Sequence, residues 1–166
     1  VRVGPTGSVN AAMPLAAQQA IKIATIAPDG SVWLREMRAA AAAMNQEYAG
    51  RRRVVVLAIK ADKSYRQMLP YLLDGADELI VTAFKPKGMR RSLDPEMLAR
   101  TAAELAPGLP VRVVDSPPEA VGLAMAAAGT QGVVWVTGSL YLVGEVRQRW
   151  HPWRQMLLDA ERLPLA

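Results

Sequence analysis

Residues 54–59 read VVVLAI, six consecutive apolar residues without a charge among them. A run this short and this apolar is typical of a β-strand covered on both faces, as in a parallel sheet. Residues 78–83 (ELIVTA) and 133–136 (VVWV) repeat the pattern, and residues 21–25 (IKIAT) and 111–114 (VRVV) are shorter candidates. The sequence therefore predicts about five strands.

Helix signals follow each of these strands. Asp94, Pro95 and Glu96 combine an N-cap residue, a proline at the first helical position and an acid in the first turn. Ser116 and Glu119 have the spacing of a capping box. Strand followed by helix, five times over, predicts an α/β fold of three layers: a mostly parallel sheet of about five strands with helices on both faces.

Composition excludes several classes of protein. The 166 residues carry a net charge of +5, are 51% hydrophobic and include no cysteine, which excludes a disulfide scaffold and thiolate chemistry. The sequence contains a single histidine, His151, which excludes a metal site built from several histidines. We expect no membrane span, because no run of about 18 apolar residues occurs. A charge of +5 over this length is weak support for nucleic-acid binding, which we do not expect.

The chain divides into three parts. Residues 1–20 have no period and end in small residues spaced like the tail of a secretory signal, so we predict a flexible leader. Residues 21–150 are expected to form one α/β domain, built from the segments 21–50 and 51–150. Residues 151–166 are predicted to be a tail or a short helix.

Two loops at the carboxyl ends of predicted strands are candidate ligand sites, because open α/β sheets bind ligands there. In the first, Asp62 and Lys63 precede Ser64, a possible helix N-cap. A helix N-terminus beside cations favours phosphate or carboxylate. The alternative is an exposed turn with solvated lysines. In the second loop, Thr137 and Ser139 offer hydroxyls for a phosphate, or alternatively a helix cap.

Residues 53–147 resemble the C-terminal domain of bacterial folylpolyglutamate/dihydrofolate synthases, in the Mur ligase superfamily. The most specific pieces are ADK at 61–63 and TGSLYLVGE at 137–145. The resemblance implies a cytoplasmic ATP-dependent ligase that joins glutamate to a folate through an acyl phosphate, with ATP and Mg²⁺ as cofactors. It also implies nucleotide or glutamate contacts at five positions: Asp62, Lys63, Ser64, Thr137 and Ser139.

The beginning of the chain departs from that family. The family's domain opens with a strand ending in Asp-Gly-Ala-His-Asn-Pro, and the Asp, His and Asn positions fall here on apolar Ile23, Ile26 and Ala27. Residues 11–48, which include APDGSVW, instead resemble the N-terminus of a TRAP-transporter solute-binding protein. Such proteins are periplasmic and bind organic acids.

These resemblances leave three functions open. We interpret the chain as a folded chimera, derived mostly from the ligase domain and joined near residues 50–56, with no catalysis or cofactor of its own. One alternative is a working accessory domain that binds ATP and glutamate. The other is an organic-acid-binding fragment of a solute receptor.

The first strand–helix unit offers a test of that interpretation. If the sheet accepts this unit, Ile21, Ile23 and Thr25 pair with another strand. Trp33 and Met37, with Met44, then lie against the sheet. If the sheet does not accept it, we expect a homodimer formed by strand exchange or edge pairing, because an exposed strand edge recruits a partner.

Overall fold

Strands and helices alternate regularly from residue 20 to residue 147. The computed structural model describes residues 2–3, 8–11, 20–24, 30–85, 88, 91–150 and 152. In chain order the elements are β1 (Arg2–Val3), β2 (Ser8–Ala11), β3 (Ala20–Ala24), α1 (Gly30–Glu47), β4 (Arg53–Leu57), α2 (Tyr65–Leu73), β5 (Glu78–Val81), α3 (Pro95–Leu105), β6 (Val111–Val113), α4 (Pro117–Ala128), β7 (Val133–Thr137) and α5 (Leu140–Arg147).

The strands form one sheet in the order β1-β2-β3-β7-β4-β5-β6. The five strands β3, β7, β4, β5 and β6 pair with one another in parallel, whereas the β1–β2 and β2–β3 pairs are antiparallel. The last strand in sequence, β7, lies between β3 and β4. The predicted α/β class and mostly parallel sheet are confirmed, with two antiparallel strands added at one edge.

Helices cover the sheet on both faces and enclose two hydrophobic cores. One core packs α1, α2 and α3 on one face, and its fully buried members include Trp135 and Leu57. The other packs α4 and α5 on the opposite face, around Val56 and Val136. Among the described residues, no helix combines the length and apolarity needed to cross a membrane.

The first strand–helix unit is part of this sheet. Ile21 pairs with Val134 and Ile23 with Val136, and β2 occupies the other side of β3. Met37 and Met44 are buried in the first core, as predicted. Thr25 and the side chain of Trp33 lie outside the described part of the chain. Because β3 is paired on both sides, it is not the exposed edge that strand exchange would use.

Two described strands lie within residues 1–20, the segment predicted to be a flexible leader. Within residues 1–20, β1 and β2 form antiparallel pairs that extend the sheet beyond β3. The physical reason is that the unpaired N–H and C=O groups along the second side of β3 accept another strand, and a short period-2 segment is difficult to recognise from sequence. The predicted tail, residues 151–166, lies outside the described residues except Pro152.

Helix starts agree with the sequence in one case and not in another. Asp94 caps α3, since its Oδ1 accepts a hydrogen bond from the Glu96 N–H at 2.9 Å. The capping box predicted at Ser116 was wrong, because the Ser116 side chain makes no capping hydrogen bond. Pro118, at the second helical position, lacks one of the two N–H groups to which an N-cap side chain can bond.

Candidate functional site

The fold brings the two predicted loops together at the carboxyl edge of the sheet. Strands β4 and β7 are neighbours, with Leu57 opposite Thr137, and the Ala58 N–H donates to the Thr137 carbonyl at 3.5 Å. After β4 the chain enters α2 on one face, whereas after β7 it enters α5 on the other. Loops that leave adjacent strands for opposite faces open a crevice where α/β proteins bind ligands.

The loop after β4 is held in place by the loop that precedes α3. The Ala61 N–H donates to the Arg91 carbonyl at 3.0 Å, and the Leu93 N–H donates to the Ile59 carbonyl at 2.7 Å. Lys60 and Ser92 form an isolated antiparallel bridge between the two segments. The backbone that carries the candidate residues is therefore fixed by a second segment of the chain.

Asp62 is exposed and forms an ion pair with Lys60. The Lys60 Nζ lies 2.7 Å from Asp62 Oδ2, and the Asp62 side chain keeps 57% of its surface accessible. The hydrogen bond from Lys60 holds the pKa of the Asp62 carboxyl below its usual range, and the charges of Lys60 and Lys63 act in the same direction. Asp62 is thus an ionised carboxylate that a ligand can reach.

Lys63 and Ser64 connect this turn to α2. The Lys63 N–H donates to the Lys60 carbonyl at 3.1 Å, and the Tyr65 N–H donates to the Lys63 carbonyl at 2.8 Å. Ser64 is exposed at the N-cap position, but its side chain makes no capping hydrogen bond, so the predicted cap was wrong. Its hydroxyl is therefore available to another group at the start of α2.

Thr137 is buried and its hydroxyl has no hydrogen-bond partner. The residue has no accessible surface, and Oγ1 is one of several buried side-chain polar atoms left unpaired. Its partner in the register, Leu57, belongs to the core beneath α1 and α2. A ligand reaches this hydroxyl only after a local rearrangement, so a direct binding role for Thr137 stays a prediction.

Gly138 and Ser139 form the junction between β7 and α5. Gly138 has φ +94°, and a Cβ built there would lie 2.6 Å from the Ala58 carbonyl oxygen. Only glycine allows this backbone to approach β4 so closely. Ser139 is half-buried, and its Oγ accepts a hydrogen bond from the Tyr141 N–H at 3.2 Å. The helix-cap interpretation of Ser139 is therefore confirmed.

Asp62, Lys63 and Ser64 place a carboxylate, an ammonium and a hydroxyl just before α2. Among the described residues, no group of three His, Cys, Asp or Glu side chains could hold a metal ion. Mg²⁺ in nucleotide sites is held largely by phosphates, waters and one or two carboxylates, and Asp62 is one exposed carboxylate in this crevice. The described residues therefore do not form a complete nucleotide or metal site.

Sequence reasoning did not predict two contacts near this edge. The Lys60 ammonium forms an ion pair with Asp62. Glu145, on α5, accepts a hydrogen bond from the Lys85 N–H at 2.7 Å. The second contact joins residues sixty positions apart, so no local pattern could have shown it.

Comparisons with known proteins agree with this fold. A model of the family described as Mur ligase, glutamate ligase domain, matches residues 14–140. No curated protein matches the chain. Three solved structures superpose on the chain with TM-scores of 0.62–0.64. E. coli FolC in complex with DHPP and ADP is 18% identical, and the match covers 90% of this chain and 31% of that chain. Mycobacterium tuberculosis folylpolyglutamate synthase complexed with ADP and AMPPCP is 24% identical over 80% of this chain and 30% of that chain, and the bifunctional folylpolyglutamate synthase/dihydrofolate synthase from Yersinia pestis complexed with AMPPNP and Mn is 23% identical over 82% and 30%.

At these identities the likeness shows the fold, and this chain spans only about a third of the length of those structures. The family match begins at residue 14 and continues through residues 50–56, where we placed a join between two sources. The comparisons give no support to a solute-binding origin for residues 11–48.

Proposed function

This chain belongs to the Mur ligase family through its glutamate ligase domain, and on that premise we propose that it serves an ATP-dependent ligase that joins glutamate to a folate. The observation that carries this proposal is the crevice between the neighbouring strands β4 and β7, because the loops 61–64 and 138–139 follow these two strands inside the matched region. The described residues of the crevice contribute one side of a site for nucleotide and glutamate.

Each exposed group in the crevice has a role in this proposal. The Lys63 ammonium pairs with a phosphate or with a glutamate carboxylate, because a cation at a helix start stabilises an anion there. The Ser64 hydroxyl donates a hydrogen bond to the same anion. Asp62, kept ionised by Lys60, accepts from the glutamate ammonium or faces the Mg²⁺ that accompanies ATP. ATP supplies the phosphoryl group that activates the folate carboxylate.

The chain does not complete the reaction by itself in this proposal. Phosphoryl transfer needs several cations and backbone donors arranged around the triphosphate. Lys60, one of the described cations of the crevice, is already paired with Asp62. A second domain carrying a phosphate-binding loop must supply the rest. We therefore expect neither ATP hydrolysis nor glutamate ligation from these 166 residues alone.

The test measures binding and turnover separately on the full chain. Titrations with Mg-ATP and with L-glutamate, followed by amide chemical shifts, should perturb residues 61–64 and 138–139. Lys63→Gln should weaken that binding at least about tenfold, whereas Arg100→Gln, an exposed change on α3, should leave it unchanged. ADP formation above a heat-killed control, abolished by Lys63→Ala, would show autonomous catalysis and contradict the proposal.

The organic-acid-binding alternative has no observation in its favour. It rests on residues 11–48, and the family match covers most of that segment. An organic acid that raises the melting temperature through contacts to α1 would revive it. The same titrations therefore distinguish the two functions by which amides respond.

A further inference from the structure

A cleft of about 780 Å³ lies over the carboxyl ends of β5 and β6, apart from the crevice between β4 and β7. Its walls are the loop after β5, the loop that leads into α4, and the C-terminal half of α5. The chain leaves β5 for α3 on one face of the sheet and leaves β6 for α4 on the other. This second divergence of neighbouring loops creates a further ligand-sized space at the same edge.

Among the described residues, four charged side chains, two of each sign, line this cleft. The cations are Lys85 and Arg149, and the carboxylates are Asp115 and Glu145. None of the four forms a salt bridge among the residues that the structure describes. Arg149 does lie over the Trp150 ring, at 5.9 Å from its centroid, and Glu145 accepts one backbone hydrogen bond, but neither is neutralised by an opposite charge in the described part of the chain. Charges of both signs therefore remain open to a ligand.

The same cleft has an apolar floor and a fixed wall. The floor includes the apolar side chains of Phe84, Pro117 and Val146. The Phe84 ring also packs against the Tyr141 ring, at a centroid distance of 5.2 Å. The wall is fixed because the Lys85 N–H donates to Glu145 Oε1 at 2.7 Å, which ties the loop after β5 to α5. The cleft is therefore preformed in this arrangement of the chain.

We propose that this cleft binds a free zwitterionic α-amino acid with an apolar side chain. The ligand carboxylate pairs with Lys85 and Arg149, and its ammonium pairs with Asp115 and Glu145. A ligand that carries charge of only one sign would be repelled by the two cleft residues of that same sign. An uncharged apolar ligand would leave all four charges without a partner.

This site goes beyond the proposed ligase function and does not depend on it. Its residues are different from those between β4 and β7, and its ligand lacks the side-chain carboxylate of glutamate. An amino acid held here would report on amino-acid supply or position the end of a second substrate at the sheet edge. An experiment that contradicts ligand binding at one of the two sites therefore leaves the proposal for the other site unchanged.

The test is an amide chemical-shift titration of the full chain with L-leucine. Two analogues of the same carbon skeleton each lack one charge: 4-methylpentanoate has no ammonium and isoamylamine has no carboxylate. We expect L-leucine to shift amides at 83–85, 115–119 and 145–149 in the millimolar range, and both analogues to bind at least about tenfold more weakly. L-glutamate is titrated in parallel to distinguish the two sites.

Two exposed residues provide variants that keep the fold. Lys85→Gln and Asp115→Asn should each weaken L-leucine binding about fivefold or more, since each removes one partly exposed charge contact, whereas Lys63→Gln should not. Circular dichroism verifies that each variant is folded. The proposal is overturned if L-leucine shifts no cleft amide, if it shifts only residues 61–64 and 138–139, or if either analogue binds as tightly as L-leucine.

Discussion

Replacing Arg53 with methionine should cost the protein about 2–4 kcal/mol of its unfolding free energy. Arg53 begins β4 and is only 3% exposed. Its guanidinium donates to the Met44 carbonyl and to the Asp74 carbonyl, each at 3.1 Å, and also to the Asn45 side-chain oxygen. One side chain thus joins the C-terminal ends of α1 and α2, where helix carbonyls lack partners.

The magnitude follows from opposing contributions. Hydrogen bonds from a charged donor are each worth about 1.5–3 kcal/mol, and the substitution removes three. Against this loss, a buried guanidinium is costly to desolvate, and the same burial lowers the pKa of Arg53. Methionine keeps much of the apolar part of the arginine side chain. It also keeps the hydrogen bond from the backbone N–H of residue 53 to Asp77 Oδ2, at 2.6 Å. The net loss is therefore smaller than the sum of three bonds.

Urea unfolding followed by circular dichroism measures this difference by linear extrapolation. Arg51→Met is the matched control, because Arg51 is two residues away and exposed, and its guanidinium lies 6.0 Å from the centre of the Tyr48 ring. This control should change stability by less than about 0.5 kcal/mol. Arg53→Lys keeps the charge but cannot reach three acceptors at once, so it should lose most of the same energy. An Arg53→Met loss as small as that of the control would refute the reasoning.

Three further predictions concern the sheet edge and the assembly. The Asp62 carboxyl should ionise at lower pH than an ordinary aspartate in a carboxyl NMR titration, so its ion pair is lost only as pH falls through that lowered pKa, and Lys60→Met should return the pKa toward its usual value. Gly138→Ala should lower the stability of the protein by at least about 2 kcal/mol in thermal unfolding, since the added Cβ would lie 2.6 Å from the Ala58 carbonyl oxygen. Gly144→Ala is the control in α5: no atom of another described segment lies within 4 Å of its added Cβ, so it should raise stability by up to about 1 kcal/mol. Light scattering after size exclusion should give a monomer, because β3 is paired on both sides, and a dimer would indicate pairing through β1 or β6.

Tyr48 offers an independent probe of the α1 terminus. Burial and a hydrogen bond with Glu47 raise the pKa of Tyr48 to about 12. A tyrosine with a raised folded-state pKa contributes stability below its unfolded value, and that contribution is lost as pH rises from about 10 toward 12. Ultraviolet titration of the phenol, with Tyr48→Phe to identify its transition among the four tyrosines, measures this shift. A transition at the ordinary tyrosine value would contradict it.

The positions of several candidate-site residues could be predicted from the local sequence. Asp62, Lys63 and Ser64 follow a buried strand directly, so their position at the carboxyl edge follows from strand direction alone. The Ser139 cap and the Asp94 cap were equally local. By contrast, the burial of Thr137 was not, because the exposure of a hydroxyl at a strand end depends on which neighbouring segments cover it.

The alternation of strands and helices can be read from the sequence. Apolar runs such as residues 54–57 and 133–136, and the start of α3 at Asp94, encode it through short-range periodicity and capping. The position of β7 between β3 and β4, which places the loops 61–64 and 138–139 after neighbouring strands, is evident only in the folded protein. The physical reason is that buried strands of a parallel sheet present similar apolar faces, so local sequence cannot distinguish their neighbours. Strand order results from the non-local balance of crossover direction, helix packing on two faces and closure of the edge.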